Sequence, residues 1–123
     1  MSPDDSRRGE RVDKPWGYEL IWARTDRYAG KILHITAGEA LSLQYHRHKD
    51  ETLLVLAGTL ELTLGEREDA LTTELRGPGD RVHEWPGRVH RLAARTDCEV
   101  LEVSTAELDD VVRLADRYGR SGG

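Results

Sequence analysis

The most constraining feature of this chain is its rhythm: short β-type runs recur at about 8–12-residue spacing, each closed by turn residues. KILHI precedes Ala37-Gly38, LSLQYHRH precedes Lys49-Asp50, TLLVL precedes Ala57-Gly58, and LELTL precedes Gly65. After a polar connection come RVHEW and RVHRLAA, split by Pro86-Gly87, and then EVLEVS. Many short strands at this spacing predict an all-β sandwich or barrel. A length of 123 residues leaves room for one such domain. With no Phe, three Trp and four Tyr, the core must be mostly Leu, Val and Ile. At 37% hydrophobic residues that core is lean, and pairing of two copies would help it.

The ends read differently. Residues 1–11 are polar, carry both charge signs and show no periodicity, so they are expected to form a flexible arm before a domain at 12–120, with 121–123 as a loose tail. Ser104 followed by Glu107 resembles a helix capping box, and Leu108, Val111, Val112 and Ala115 recur at helical spacing. A short C-terminal helix and then an extended tail are expected there, or else an irregular tail that covers the barrel, which Asp109-Asp110 and Tyr118-Gly119 also suit.

Charge and cysteine content exclude several classes. Eighteen Lys and Arg against 23 Asp and Glu give a net charge of −5, which argues against nucleic-acid or anionic-membrane partners. The single cysteine, Cys98, cannot form an internal disulfide and reads as a small buried hydrophobe. No apolar run resembles a signal peptide or membrane span, and a cytoplasmic protein is the expectation.

The chemistry concentrates in LSLQYHRHKDE. Alternation along a strand turns Gln44, His46 and His48 to one face, and a turn at Lys49-Asp50 brings Glu51 toward the same cavity. Imidazole, carboxylate and amide oxygen together can hold a divalent cation. Two histidines at i and i+2 are by themselves as well explained by an exposed polar strand face.

More than those two residues match a pattern. The segment resembles the first motif of the cupin superfamily, in which Gly, five residues, a ligand, one residue, His, four residues, Glu, six residues and Gly follow in order. Here these fall on Gly38, Gln44, His46, Glu51 and Gly58. Taking His46 and His48 as the usual pair instead makes the gap to Glu51 too short and misplaces the leading Gly. The second cupin motif matches Gly79, Gly87 and His90, with Trp85 where Pro is usual, Pro86 one place later, and Ala94 in place of Asn. The resemblance implies a double-stranded β-helix, or jelly-roll, barrel. It also implies one divalent metal on Gln44, His46, Glu51 and His90, with His48 inward beside them. Zinc is favoured by that set; manganese, iron, cobalt and nickel remain compatible with it.

Within the superfamily the chain resembles the C-terminal isomerase domain of type II phosphomannose isomerases. KPWGYE (Lys14 to Glu19), LSLQYHRHKDE and DDVVRLADRYGR (Asp109 to Arg120) carry that likeness across residues 14–120. It implies metal-dependent aldose–ketose isomerisation of a sugar phosphate, mannose 6-phosphate to fructose 6-phosphate, by proton transfer through an enediol. His48 is the first expected proton carrier, with His83 and Glu84 as others; parity turns His83 inward with Trp85 and makes Glu84 the weaker choice. Lys14, Arg113, Arg117, Arg120 and Tyr118 are expected to meet the substrate at the barrel mouth. A homodimer through sheet edges and the N-terminal strand is expected. The alternatives are a metal-dependent cupin oxygenase or other small-molecule enzyme, and a cupin that binds a metabolite without turnover. Bifunctional members also carry a nucleotidyltransferase domain, and this stretch contains no Gly-rich phosphate loop, so sugar-nucleotide synthesis is not expected of it alone.

Overall fold

The computed structural model describes residues 7–120. Eleven strands follow one another: β1 (Glu10–Lys14), β2 (Gly17–Arg24), β3 (Tyr28–Ile35), β4 (Leu43–Tyr45), β5 (Glu51–Ala57), β6 (Leu60–Gly65), β7 (Leu71–Arg76), β8 (Arg81–Glu84), β9 (Val89–Ala94), β10 (Cys98–Thr105) and β11 (Val112–Ala115). They form a six-stranded sheet in the order β1-β2-β3-β10-β5-β8 and a five-stranded sheet in the order β11-β4-β9-β6-β7. Neighbouring strands run antiparallel. Sequence-distant strands become neighbours, as β3 with β10 and β4 with β9, and this wraps two sheets around one interior.

Alternation decides what fills that interior. Leu33 and Ile35 of β3, Leu53 and Val55 of β5, and Val100 of β10 point inward from one sheet and meet Leu60, Leu62 and Leu92 from the other. Each such burial contributes about 1.5–3 kcal/mol. The same inward positions change character toward the opposite end of the strands, where Lys31, Glu51, Glu84 and Glu102 are buried instead. Register brings them side by side: Glu102 faces Lys31 and Ser104 faces Glu51 across β10, and Glu51 faces Glu84 across β5–β8. One end of the barrel is therefore apolar, and the other is lined with charge.

Turn chemistry holds the charged end. Arg88 donates its backbone N–H to Trp85 O at 3.0 Å, closing a turn with Pro86 at its second position and Gly87, at φ +89°, at its third. That is type II geometry, which favours Pro followed by Gly, so the displaced Pro fits the turn. Gly87 N–H also donates to His46 O at 2.7 Å, tying the β8–β9 turn to the loop after β4.

Three sequence expectations are corrected. Glu10 and Arg11 pair with Ile21 and Leu20, so the ordered domain begins inside the stretch read as a flexible arm; residues 1–6 and the tail 121–123 lie outside the described residues. Strand β7 occupies part of the polar connection and pairs with β6. The C-terminal helix is absent among the described residues: Ser104 lies in β10, and Val112–Ala115 form edge strand β11 against β4. Tertiary contacts override the local helical period there, because the Asp110 carboxylate accepts backbone N–H groups of Arg47, His48 and Lys49 at 3.1, 2.7 and 2.9 Å.

Candidate metal centre

His46 follows directly after β4, Glu51 opens β5, Glu84 ends β8 and His90 lies in β9. Their donor atoms all fall within 4.8 Å of one another, and all four residues are buried. His46 Nε2 is 2.9 Å and His90 Nε2 is 3.6 Å from Glu51 Oε1, while His90 Nε2 lies 2.8 Å from Glu84 Oε2. Each ring turns its other nitrogen onto a backbone carbonyl: His46 Nδ1 to Asp110 O at 2.5 Å and His90 Nδ1 to Arg88 O at 2.9 Å. A carbonyl only accepts, so both Nδ1 atoms carry hydrogen, and each ring aims its Nε2 at the cluster. Backbone carbonyls commonly fix metal-bound histidines in this way.

The donors fit a cation on a further ground. His46 Nε2 and Glu51 Oε1 stand 2.9 Å apart, so a proton or a cation lies between them. Both Glu84 oxygens are buried without an aligned hydrogen-bond partner. Gln44 adds an amide whose Nε2 stands 3.4 Å from His90 Nε2 and whose Oε1 accepts from Ser42 Oγ at 2.6 Å.

Electrostatics separate the two carboxyls. Burial and then the Glu51 charge push the Glu84 carboxyl well above the ordinary range, which favours its neutral form. Burial also works against the Glu51 charge, but the His46 hydrogen bond and Lys49 hold it well below that range. Burial lowers the pKa of His90 and favours its neutral, ligating form. The Lys49 ammonium lies 3.1 Å from both Glu51 Oε2 and Glu102 Oε2. Burial opposes its charge, but the two carboxylates outweigh that cost and raise its pKa.

A cavity of about 280 Å³ opens onto Gln44, His46, Glu51 and His90. Lys14, Arg24, Lys31, Lys49, Arg113 and Arg120 also line it. Lys31 is held at 3.3 Å by both Glu19 oxygens, and Lys14 lies 3.9 Å from the same carboxylate. Arg120 is clamped at 3.0 Å by both oxygens of Asp116.

The other expected site residues fall elsewhere. His48 is exposed, because β4 ends at Tyr45 and the chain bends at 47–48, which breaks the alternation that turned it inward. His83 is exposed and lies 2.6 Å from Asp50, whereas Glu84 is fully buried, the reverse of the parity reading. Pairing with β5 decides this, since Glu84 faces inward Glu51 and His83 faces Thr52. Arg117 donates to Gly38 O at 2.7 Å, and Tyr118 hydrogen-bonds Glu39 and Ala40, so both pin the tail outside the cavity. Lys49 was missed as a site residue, because Lys-Asp reads as a turn and its approach to Glu102 is invisible without the β5–β10 pairing.

A model of one protein family, described as Mannose-6-phosphate isomerase C-terminal, matches residues 3–116. The chain belongs to this family. Family membership agrees with the all-β cupin barrel, and solved cupins share the fold. KdgF from Halomonas sp. superposes with a TM-score of 0.70 at 20% identity, over 81% of this chain and 88% of that one. Oxalate decarboxylase from Bacillus subtilis does so with a TM-score of 0.74 at 16% identity, over 86% of this chain and 30% of that one.

Curated relatives correct the expected activity. A mannose-1-phosphate guanylyltransferase of Escherichia coli strain K12 is 37% identical over 94% of this chain and 25% of its own length. ManC of Salmonella typhimurium, also named mannose-1-phosphate guanylyltransferase, is 36% identical over 89% of this chain and 23% of its own length. The alginate biosynthesis protein AlgA of Pseudomonas aeruginosa is 31% identical over 89% and 23%. This chain thus spans about a quarter of the length of the curated relatives it matches. These names describe guanylyl transfer to mannose 1-phosphate and polysaccharide biosynthesis, so the expectation of a mannose 6-phosphate isomerase is overturned. No helix of the described residues is long and apolar enough to cross a membrane.

Proposed function

We propose that this chain is a metal-binding cupin domain that takes a phosphorylated sugar, of the class named in its mannose-1-phosphate guanylyltransferase relatives, into the cavity beside the metal. The observation that carries this reading is the convergence of two histidine Nε2 atoms and Glu51 Oε1 on a cavity whose wall carries cations among its carboxylates.

His46, Glu51 and His90 would hold the ion, with Gln44 as the fourth donor. A half-turn of the Gln44 amide presents Oε1 to the ion and leaves Nε2 to the Ser42 hydroxyl, which accepts as readily as it donates. We favour zinc for this donor set, with manganese, iron, cobalt and nickel as compatible ions. Manganese is the ion named in one study of the oxalate decarboxylase that shares the fold. A bound divalent ion supplies a Lewis acid that polarises a carbonyl or hydroxyl oxygen of the ligand.

The chain's own residues do the rest. Lys14, Arg113 and Arg120 offer donors to a phosphate, and the Asp116 clamp holds Arg120 in one orientation. Trp16 and Leu41 offer apolar wall to a sugar ring. Glu84 lies behind Glu51 and His90, away from the cavity lining, where burial favours its neutral carboxyl and so limits the negative charge beside Glu51. Two copies pairing through the N-terminal strand belong to the same proposal, since β1 is an edge of the six-stranded sheet.

Calorimetric titration of mannose 1-phosphate into metal-free and zinc-loaded protein tests the reading. Saturable binding to the loaded form, lost in His46→Ala and His90→Ala, is expected. Equal binding to both forms, or none to either, contradicts it.

A further inference from the structure

The buried ammonium of Lys49 is a cation placed beside a candidate cation site. Its Nζ lies 3.1 Å from Glu51 Oε2, the oxygen turned away from the histidines, while Glu51 Oε1 is the oxygen that meets His46 Nε2 at 2.9 Å. Electrostatics alone makes this an unfavourable neighbour for a divalent ion. Geometry gives it another task.

Glu51 is the first residue of β5, and Glu84 stands opposite it on β8. One carboxylate oxygen contacts the two imidazoles, and the other is buried against the ammonium. Lys49 is itself held from the far side by Glu102 at 3.1 Å, and the backbone N–H of Lys49 is tied to Asp110 at 2.9 Å. Glu102 is fixed by its place in β10, opposite Lys31 and Leu53. Glu102, Lys49 and Glu51 form a buried chain from the sheet to the donor atom. Carboxylate ligands are commonly oriented by such outer partners, whose removal costs metal affinity.

We infer that Lys49 is a positioning residue for the metal centre: braced by Glu102, it holds Glu51 by Oε2 so that Oε1 alone is presented to the ion. The inference rests on the metal-binding reading above. It states that the orienting effect of Lys49 outweighs its charge repulsion, and so predicts the opposite sign from a simple Coulomb argument.

The test uses Lys49→Met and the charge-balanced pair Lys49→Met with Glu102→Gln. The double variant has the formal net charge of the original chain and avoids leaving two carboxylates facing each other in the barrel, which guards against misfolding. Affinity is measured by competition with a chromophoric chelator, using whichever of Zn²⁺ and Mn²⁺ the unsubstituted protein binds more tightly. Circular dichroism melts show that each variant is folded. A weakening of about 10–100-fold in both variants is expected. Unchanged or tighter binding in Lys49→Met overturns the inference, as does recovery of full affinity in the double variant, since charge balance would then be the whole effect. Failure of the underlying reading has a separate signature: the unsubstituted protein binds neither ion, and the inference falls with it.

Discussion

Glu51 and Glu84 stand opposite one another in the β5–β8 ladder, both buried, and only Glu51 reaches the cavity. Two carboxyls this close do not share one charge state. The partners of Glu51 favour its charged form, and burial beside that charge favours the neutral form of Glu84.

Isosteric amides should therefore act differently at the two positions in the metal-free protein. Glu84→Gln replaces a neutral group with a neutral group and should cost less than about 1 kcal/mol. Glu51→Gln removes an anion from Lys49 and His46 and should cost about 1.5–3 kcal/mol. Urea unfolding at neutral pH measures both. Equal losses would mean that the charge states have been assigned wrongly.

Glu102 gives a pH dependence of known sign. Burial and then the Glu51 charge raise its pKa from 4.5 to about 7 in the folded protein. A raised folded pKa contributes stability that is present below the unfolded value and lost as pH rises through the folded one. Metal-free protein should accordingly lose stability relative to Glu102→Gln as pH rises from 4.5 through about 7. Denaturation midpoints of the two proteins, followed across that window, check this; a constant difference would refute it.

Asp110 acts in the opposite direction. Despite the cost of burial, the backbone N–H groups of His48, Lys49 and Arg47 lower its pKa from 3.8 to about 2. Its contribution should be complete above 3.8 and vanish as pH falls through about 2. Asp110→Ala should cost about 1.5–3 kcal/mol at neutral pH and speed hydrogen exchange at the amides of residues 47–49. Exchange that stays at its original rate would show that the C-terminal segment does not latch this loop.

Legibility in the sequence followed how local each signal was. The strand rhythm and the spacing of Gly38, Gln44, His46, Glu51 and Gly58 identified the barrel, because turns and alternation act over a few residues. His90, named by its likeness to the second cupin motif, is brought to the same cluster by the pairing of β4 and β9. Parity failed at His48 because β4 stops three positions earlier, and at His83 because the register with β5 selects Glu84. The helical period of Leu108, Val111 and Val112 lost to an edge strand and to the Asp110 latch. Lys49, adjacent to a turn, gave no sign that its ammonium would be buried between two carboxylates.

If His46, Glu51 and His90 converge to hold a divalent ion, zinc should settle between them. Anomalous diffraction from crystals grown with one equivalent of zinc, collected on both sides of the zinc absorption edge, locates it. One strong peak bounded by the two Nε2 atoms and Glu51 Oε1 is expected, absent in His46→Ala. A map with no peak at that point, or with zinc only on exposed carboxylates, would contradict it.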